Sequence, residues 1–152
     1  MFERINQFFE NRLHQAESTP DGFDHKHIAA AALLVEAARK DGHFDSAEHE
    51  VIVRLLTSHF KLPREQSEAL LAVAERRERM VMNNWIFYEH IKRGFSDVDR
   101  KAIIGDLWSL ALSDRALHRF ETTLIETIAQ QIDVTASACA DERDRAKLRA
   151  GI

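Results

Sequence analysis

The chain has a single cysteine, Cys139, among 152 residues. One thiol cannot close an intramolecular disulfide, so packing must hold the fold, and a reducing compartment is expected. Glycine and proline are scarce, five and two in the whole chain. An all-β fold needs many tight turns, and this stock is too small for them. The longest apolar run, Ile28 to Val35, falls far short of the roughly 20 residues a helix needs to cross a bilayer. A basic excess is also missing: the formal net charge is −4, which argues against nucleic acid as a partner. The opening MFERINQFFENRL lacks the cationic start and apolar core of a signal peptide. A cytoplasmic location without stable membrane insertion is therefore expected.

What is present is helical periodicity, segment after segment. Phe2, Ile5, Phe8, Phe9 and Leu13 recur at three- and four-residue steps and predict a short amphipathic helix. The loop signal STPDG, Ser18 to Gly22, separates it from the rest. Residues 1–22 are thus expected to form an N-terminal helix and loop that packs on a main domain over 23–152, binds a membrane surface or binds a partner; packing is the expectation. Ile28 to Lys40 is alanine- and leucine-rich, the pattern of a helix buried nearly all round. Ser46 to Phe60 is amphipathic, and Pro63 suits the first turn of a third helix. Asn83-Asn84 ends that helix, and a short aromatic one follows from Trp85 to about Gly94. Ser96 with Asp99 resembles a capping box before a long helix through Ala111. Another helix is predicted from about Leu117 to Ile132; the tail TASACADERDRAKLR is helix-compatible but has little apolar face.

The chain repeats itself. LVEAARKDGHFDSAEHEVIVRLL, from Leu34, aligns with LWSLALSDRALHRFETTLIETIA, from Leu107, at a constant offset of 73. Leu34 matches Leu107, Ala38 matches Ala111, Asp41 matches Asp114, Glu48 matches Glu121 and Ile52 matches Ile125. The same acids in the same apolar frame, twice, imply a duplicated helical hairpin.

On these residues the chain resembles the TerB-like tellurite resistance proteins, most closely their short two-repeat bacterial branch. The carriers are LLVEAARKDGHFDSAEHEVIVRLLTSHFKL and LWSLALSDRALHRFETTLIETIAQQIDV, and the likeness spans roughly Ile28 to Val134. It implies an all-α single-domain bundle, a link to stress or toxic-anion resistance, and a metal-binding acidic cluster. The family's second turn is usually Asp-Gly, whereas here it is Asp114-Arg115.

Helix counting leads to the same acids independently of the family. With short connections and antiparallel neighbours, both Asp-containing turns come to one end of the bundle. Asp41 continues the column of Leu34 and Ala38, and Glu48 starts that of Ile52, Leu55 and His59. Asp114 continues Leu107 and Ala111, and Glu121 starts Ile125, Ile128 and Ile132. Four inward acids need compensation, which a divalent cation, protonation, helix N-termini or Arg115 can supply. The candidate metal ligands are Asp41, Glu48, Asp114 and Glu121, with Asp45 and His118 auxiliary. Oxygen-rich ligation favours Ca²⁺, Mg²⁺ or Mn²⁺. His43, His49 or His118 would shift the choice towards Zn²⁺. The competing account is capping: Asp45 and Glu48 form a capping box, and Glu121 can reach back to its own helix start.

Sharper motifs are absent. The sequence contains no EF-hand acid spacing, no paired metal-binding His or Cys motif, no glycine-rich phosphate loop and no GxSxG elbow. Trp85, Phe87 and Tyr88 either fill the core beside Trp108 or present a partner surface; core filling is the expectation. Glu36 and Asp106 either line an interior polar pocket or lie on narrow exposed stripes, the stripe being the expectation, and Lys101 and the run Glu75 to Arg79 are expected on solvated faces. The expectation is an all-α bundle of about seven to eight helices with two duplicated hairpins. Its function is expected to be non-enzymatic: binding a divalent cation, a protein partner or both. The alternative is a metal-free helical adaptor whose acids are caps. A metal-assisted hydrolase would need a base that the sequence does not offer.

Overall fold

A computed structural model describes residues 22–39, 46–113 and 119–152. Seven helices occupy them: α1 His25–Ala38, α2 Ser46–Phe60, α3 Arg64–Met80, α4 Trp85–Gly94, α5 Asp97–Ala111, α6 Arg119–Gln131 and α7 Ala136–Ala150. The all-α bundle expected from the periodicity is what forms. The N-terminal amphipathic segment, residues 1–21, lies outside the described residues.

α1 is the hub. It packs against α2, α3, α4, α5 and α6. Its sequence explains this: four consecutive alanines, Ala29 to Ala32, and then Leu33, Leu34 and Val35 are all buried. Small side chains let several neighbours come close on different faces without leaving voids. The helix starts where the Asp24 carboxylate accepts a hydrogen bond from the Lys26 amide at 3.2 Å.

The duplication is larger than the hairpin read from sequence. It takes in a third helix, so that α1-α2-α3 is matched by α5-α6-α7. In both copies α3 or α7 packs on the first helix of its unit. Both units also turn the same way between their second and third helices. Lys61 and Asp133 each adopt a left-handed conformation, with φ 54° and 61°. An extended Pro63 or Thr135 then sits at the next helix start. In the second copy the Val134 amide reaches back to the Ala129 carbonyl at 2.8 Å, the closure expected of a left-handed C-terminal residue.

The C-terminal tail, the least apolar stretch, is a well-formed helix. Thr135 Oγ1 accepts from the Ala138 amide at 3.1 Å, and left-handed Gly151 closes the far end. α7 buries only Cys139, Glu142 and Ala146, yet its contact with α5 is the most extensive between any two helices described. Trp108 anchors it, donating from Nε1 to the Cys139 carbonyl at 3.1 Å.

Two expectations about surfaces are corrected. The aromatic helix fills the core only in part. α4 lies on α1 and buries Phe87 and Ile91, while Tyr88 is half-buried and Trp85 is 60% exposed. The charged run at the end of α3 is not wholly solvated either, because Glu78 pairs with Arg39 from the end of α1. No helix among the described residues is long and apolar enough to cross a membrane.

Candidate functional site

Of the proposed cation ligands, Asp41, Asp45, Asp114 and His118 lie outside the described residues. Glu121 stands in the first turn of α6 with its side chain likewise outside them. Glu48 is the one whose side chain is described: it sits in the first turn of α2 and is half-buried. The column it heads runs inward as expected, through fully buried Ile52 to half-buried Leu55 and His59. The column below Glu121 is apolar throughout, with Ile125, Ile128 and Ile132 all fully buried. Among the described residues no three His, Cys, Asp or Glu side chains gather as a metal would require.

The structure assembles two polar clusters that the sequence had assigned to exposed stripes. The first joins α2 to α5. His59 Nδ1 lies 2.6 Å from Asp106 Oδ2, with the two side chains only 13% and 22% exposed. The hydrogen bond to Asp106 holds the imidazole above its ordinary pKa, against the opposing effect of burial. Burial pushes the Asp106 carboxyl upward, while the His59 partner pulls it down. The two titrate as one unit, and the proton held on His59 is the state the geometry favours. Around them, His59 packs on Phe60, whose ring lies 4.5 Å from that of His27. Arg149 of α7 donates to Ser109 on the neighbouring turn of α5 at 3.2 Å.

The second cluster lies between α1 and α4. Glu36 Oε2 is buried without a hydrogen-bond partner. Burial raises the Glu36 pKa, an Asn84 hydrogen bond opposes the shift, and the charge of Glu78 adds to it. Tyr88 nearby is pushed up to about 12 by burial and then by Glu36. This carboxyl therefore keeps its proton to higher pH than an exposed glutamate would.

One groove of about 770 Å³ opens between α6 and α7. Trp108, Ala129, Val134 and Cys139 line it, with Glu126 and Arg143 also at its wall. The Cys139 thiol is pushed up by burial, so it stays protonated and is a poor nucleophile.

At the corner from α3 to α4 the surface is apolar. Met80, Met82 and Trp85 are 80%, 102% and 60% exposed, and Ile86 adds a further partly bare side chain. Contiguous exposed apolar groups of this kind mark interaction surfaces more often than isolated ones do. Methionine in particular adapts to varied partners.

Sequence reasoning missed the His59–Asp106 pair, although the repeat carried a signal for it. At the same offset of 73, the counterparts of Asp106 and His59 are Leu33 and Ile132. Both are fully buried. A polar pair standing where the other copy has an apolar one is a departure that the alignment exposes.

Two three-helix units, with α1 of the first packed on α5 and α6 of the second and α4 between them in sequence, make the described residues a duplicated helical-bundle module. The profile of the family described as "Tellurite resistance protein TerB" matches residues 27–144, most of the chain, and the chain belongs to that family. Comparison with curated proteins and with solved structures gives no match.

Proposed function

We propose that this TerB-family chain is a non-enzymatic binding module that docks a protein partner in a stress or tellurite-resistance setting. The observation that carries the reading is the apolar corner of Met80, Met82, Trp85 and Ile86. Three large side chains within six positions of the chain are mostly bare to water. Their removal should leave the fold intact while abolishing recognition. The test is affinity capture with the wild type and with a Met82→Ser/Trp85→Ser variant, followed by binding of the purified partner. A partner bound by the wild type and weakened at least tenfold by the variant supports the reading. Equal affinity for both proteins refutes it.

A second reading rests on the duplicated acids and on Glu48, half-buried at the head of a core-facing column. In it Asp41, Glu48, Asp114 and Glu121 hold a divalent cation, Ca²⁺, Mg²⁺ or Mn²⁺, with Asp45 and His118 in support. Cation and partner binding are compatible. If the acids serve only as helix caps, the partner reading stands alone as that of a metal-free adaptor.

A further inference from the structure

The groove between α6 and α7 is a place where the second copy departs from the first. In the first copy the matching helices, α2 and α3, close on one another through Val53, Leu56 and Leu71, all fully buried. The Thr57 hydroxyl adds a bond to Ser67 Oγ at 2.9 Å. At an offset of 73 along α6, and of 72 beyond the left-handed residues, these positions become Glu126, Ala129 and Arg143, with Gln130 and Cys139 in place of the bonded pair. A leucine has given way to alanine, and two apolar residues to ions. The space that Leu56 and Leu71 fill in one half is thus open in the other, as the groove of about 770 Å³ over Trp108, Ala129, Val134 and Cys139. An apolar floor of this size with a few polar groups at the lip is the usual make-up of a binding site.

The lip selects the sign of the occupant. Glu126 and Asp133 are exposed there, while the cation of the lining, Arg143, already leans on Asp144 at 3.4 Å. Large apolar side chains with a cation beside them fit such a groove. The chain itself carries that surface: Met80, Met82 and Trp85 stand bare at the corner from α3 to α4, and exposed Arg79 immediately precedes them. Asn83 holds the corner in shape, its Oδ1 accepting from the Trp85 amide at 3.0 Å. Within one chain the corner does not enter the groove, since among the described residues neither α3 nor α4 packs extensively on α6 or α7. The two are nevertheless neighbours on the surface. Lys92, about 10 Å along α4 from Trp85, feels the charge of Asp133 at the lip. A twofold axis between two chains can therefore set each corner against the other's groove and close the assembly at two.

We propose that the groove of α6 and α7 receives the corner of Met80, Met82 and Trp85 from a second copy of this chain, in a dimer where each chain gives its corner and takes the other's. The proposal rests on the reading of that corner as a docking surface and names the partner. Met82 and Trp85 restore the apolar volume that Leu56 and Leu71 supply in the first copy. Thioether side chains suit an irregular groove. Arg79 meets the carboxylates of Glu126 and Asp133 at the lip.

Light scattering over a concentration series of the full-length chain reads the assembly directly. The wild type should pass from one monomer mass to two. Met82→Ser/Trp85→Ser removes the corner, and Ala129→Leu/Arg143→Leu fills the groove with the residues of the first copy, so each variant alone should stay monomeric. Mixed, they should form a dimer weaker than the wild type, because one still offers a groove and the other a corner. Should the filled groove unfold, Glu126→Lys/Asp133→Lys takes its place. Both positions are exposed, and the second change installs the lysine found at the equivalent left-handed Lys61. This variant should weaken the dimer at least tenfold. A wild type that stays monomeric, a dimer that survives these variants, or a mixture that stays monomeric overturns the proposal. A monomeric wild type that binds another protein through the corner overturns self-docking alone and leaves the partner reading standing. A small apolar amine found in the groove by native mass spectrometry, with the chain monomeric, overturns it as well.

Discussion

Replacing His59 and Asp106 together, by the residues that the other repeat carries, tests both the duplication and the role of the pair. The perturbation is His59→Ile with Asp106→Leu, which copies Ile132 and Leu33. Each single replacement strands a partner that is mostly shielded from water, at 13% and 22% exposure. Leaving such a group unsatisfied costs about 1–3 kcal/mol. In a chain of this size that corresponds to a fall in Tm of roughly 2–12 °C. The double variant removes both polar groups and fills the site with carbon, which is often neutral or stabilising by about 1–4 kcal/mol. The singles should therefore each be less stable than the wild type, and the double at least as stable. The pH dependence separates causes further. The folded His59 pKa is raised above its unfolded value of 6.5. Its contribution is then fully present below about pH 6.5 and is lost as the pH rises through the folded value. The double variant should lose that slope. Urea unfolding of the four proteins at pH 6 and pH 8 gives every quantity needed. A double variant as unstable as the two singles combined would refute the equivalence of the two sites.

Further outcomes are expected. Titrating EDTA-stripped protein with Ca²⁺, Mg²⁺, Mn²⁺ and Zn²⁺ should raise the free energy of unfolding with one ion, by about 2.7 kcal/mol at a hundredfold excess over Kd. Asp41→Asn should abolish the rise, and a flat response to all four ions would remove the cation reading. Gly94→Ala should destabilise by about 1–3 kcal/mol, because its Cβ would lie 2.7 Å from the Lys26 Cβ and force α1 and α4 apart. A Gly94→Ala protein as stable as the wild type in chemical denaturation would show that this helix pair is looser than described. Thr135→Ala should cost about 1 kcal/mol by stripping the α7 cap. Thr135→Ser should restore most of it, and failure of that rescue would mean that the hydroxyl is not the stabilising group.

The extent to which the molecule could be read in advance depended on how much of each contact was local. The end of α2 was legible to the residue, because Phe60 closes a clean amphipathic pattern. The cap at Ser96 was legible because it involves neighbours three apart. The third helix of each unit escaped the repeat alignment for a chemical reason. The offset falls to 72 at the left-handed residues Lys61 and Asp133, so the buried Leu70 of α3 is matched in α7 by Glu142 and Leu71 by Arg143, and backbone geometry is repeated while side-chain character is not. Asp106 looked like a surface acid since its partner, His59, is 47 residues away. Phe87 went to the core and Trp85 to the surface, a division that periodicity within one short helix could not make. For the candidate cation ligands, the core-facing columns beneath Glu48 and Glu121 follow the sequence pattern, while the turns that carry the aspartates lie outside the described residues.

Alanine at the hub has a consequence for how the chain can come apart. α1 meets five other helices, and three of them, α4, α5 and α6, come from beyond the first unit. A fragment ending at Met80 would expose the stripe of Ala29 and Leu33 to water and leave the carboxyl of Glu36 without Asn84. Alanines bury little area each, so α1 gains its stability from the number of neighbours and not from any one of them. The first unit is thus expected to lose much of its packing when cut from the second. The two repeats are thereby tied into one body, and the buried alanines of the axis, Ala29 to Ala32, leave little room for a larger side chain.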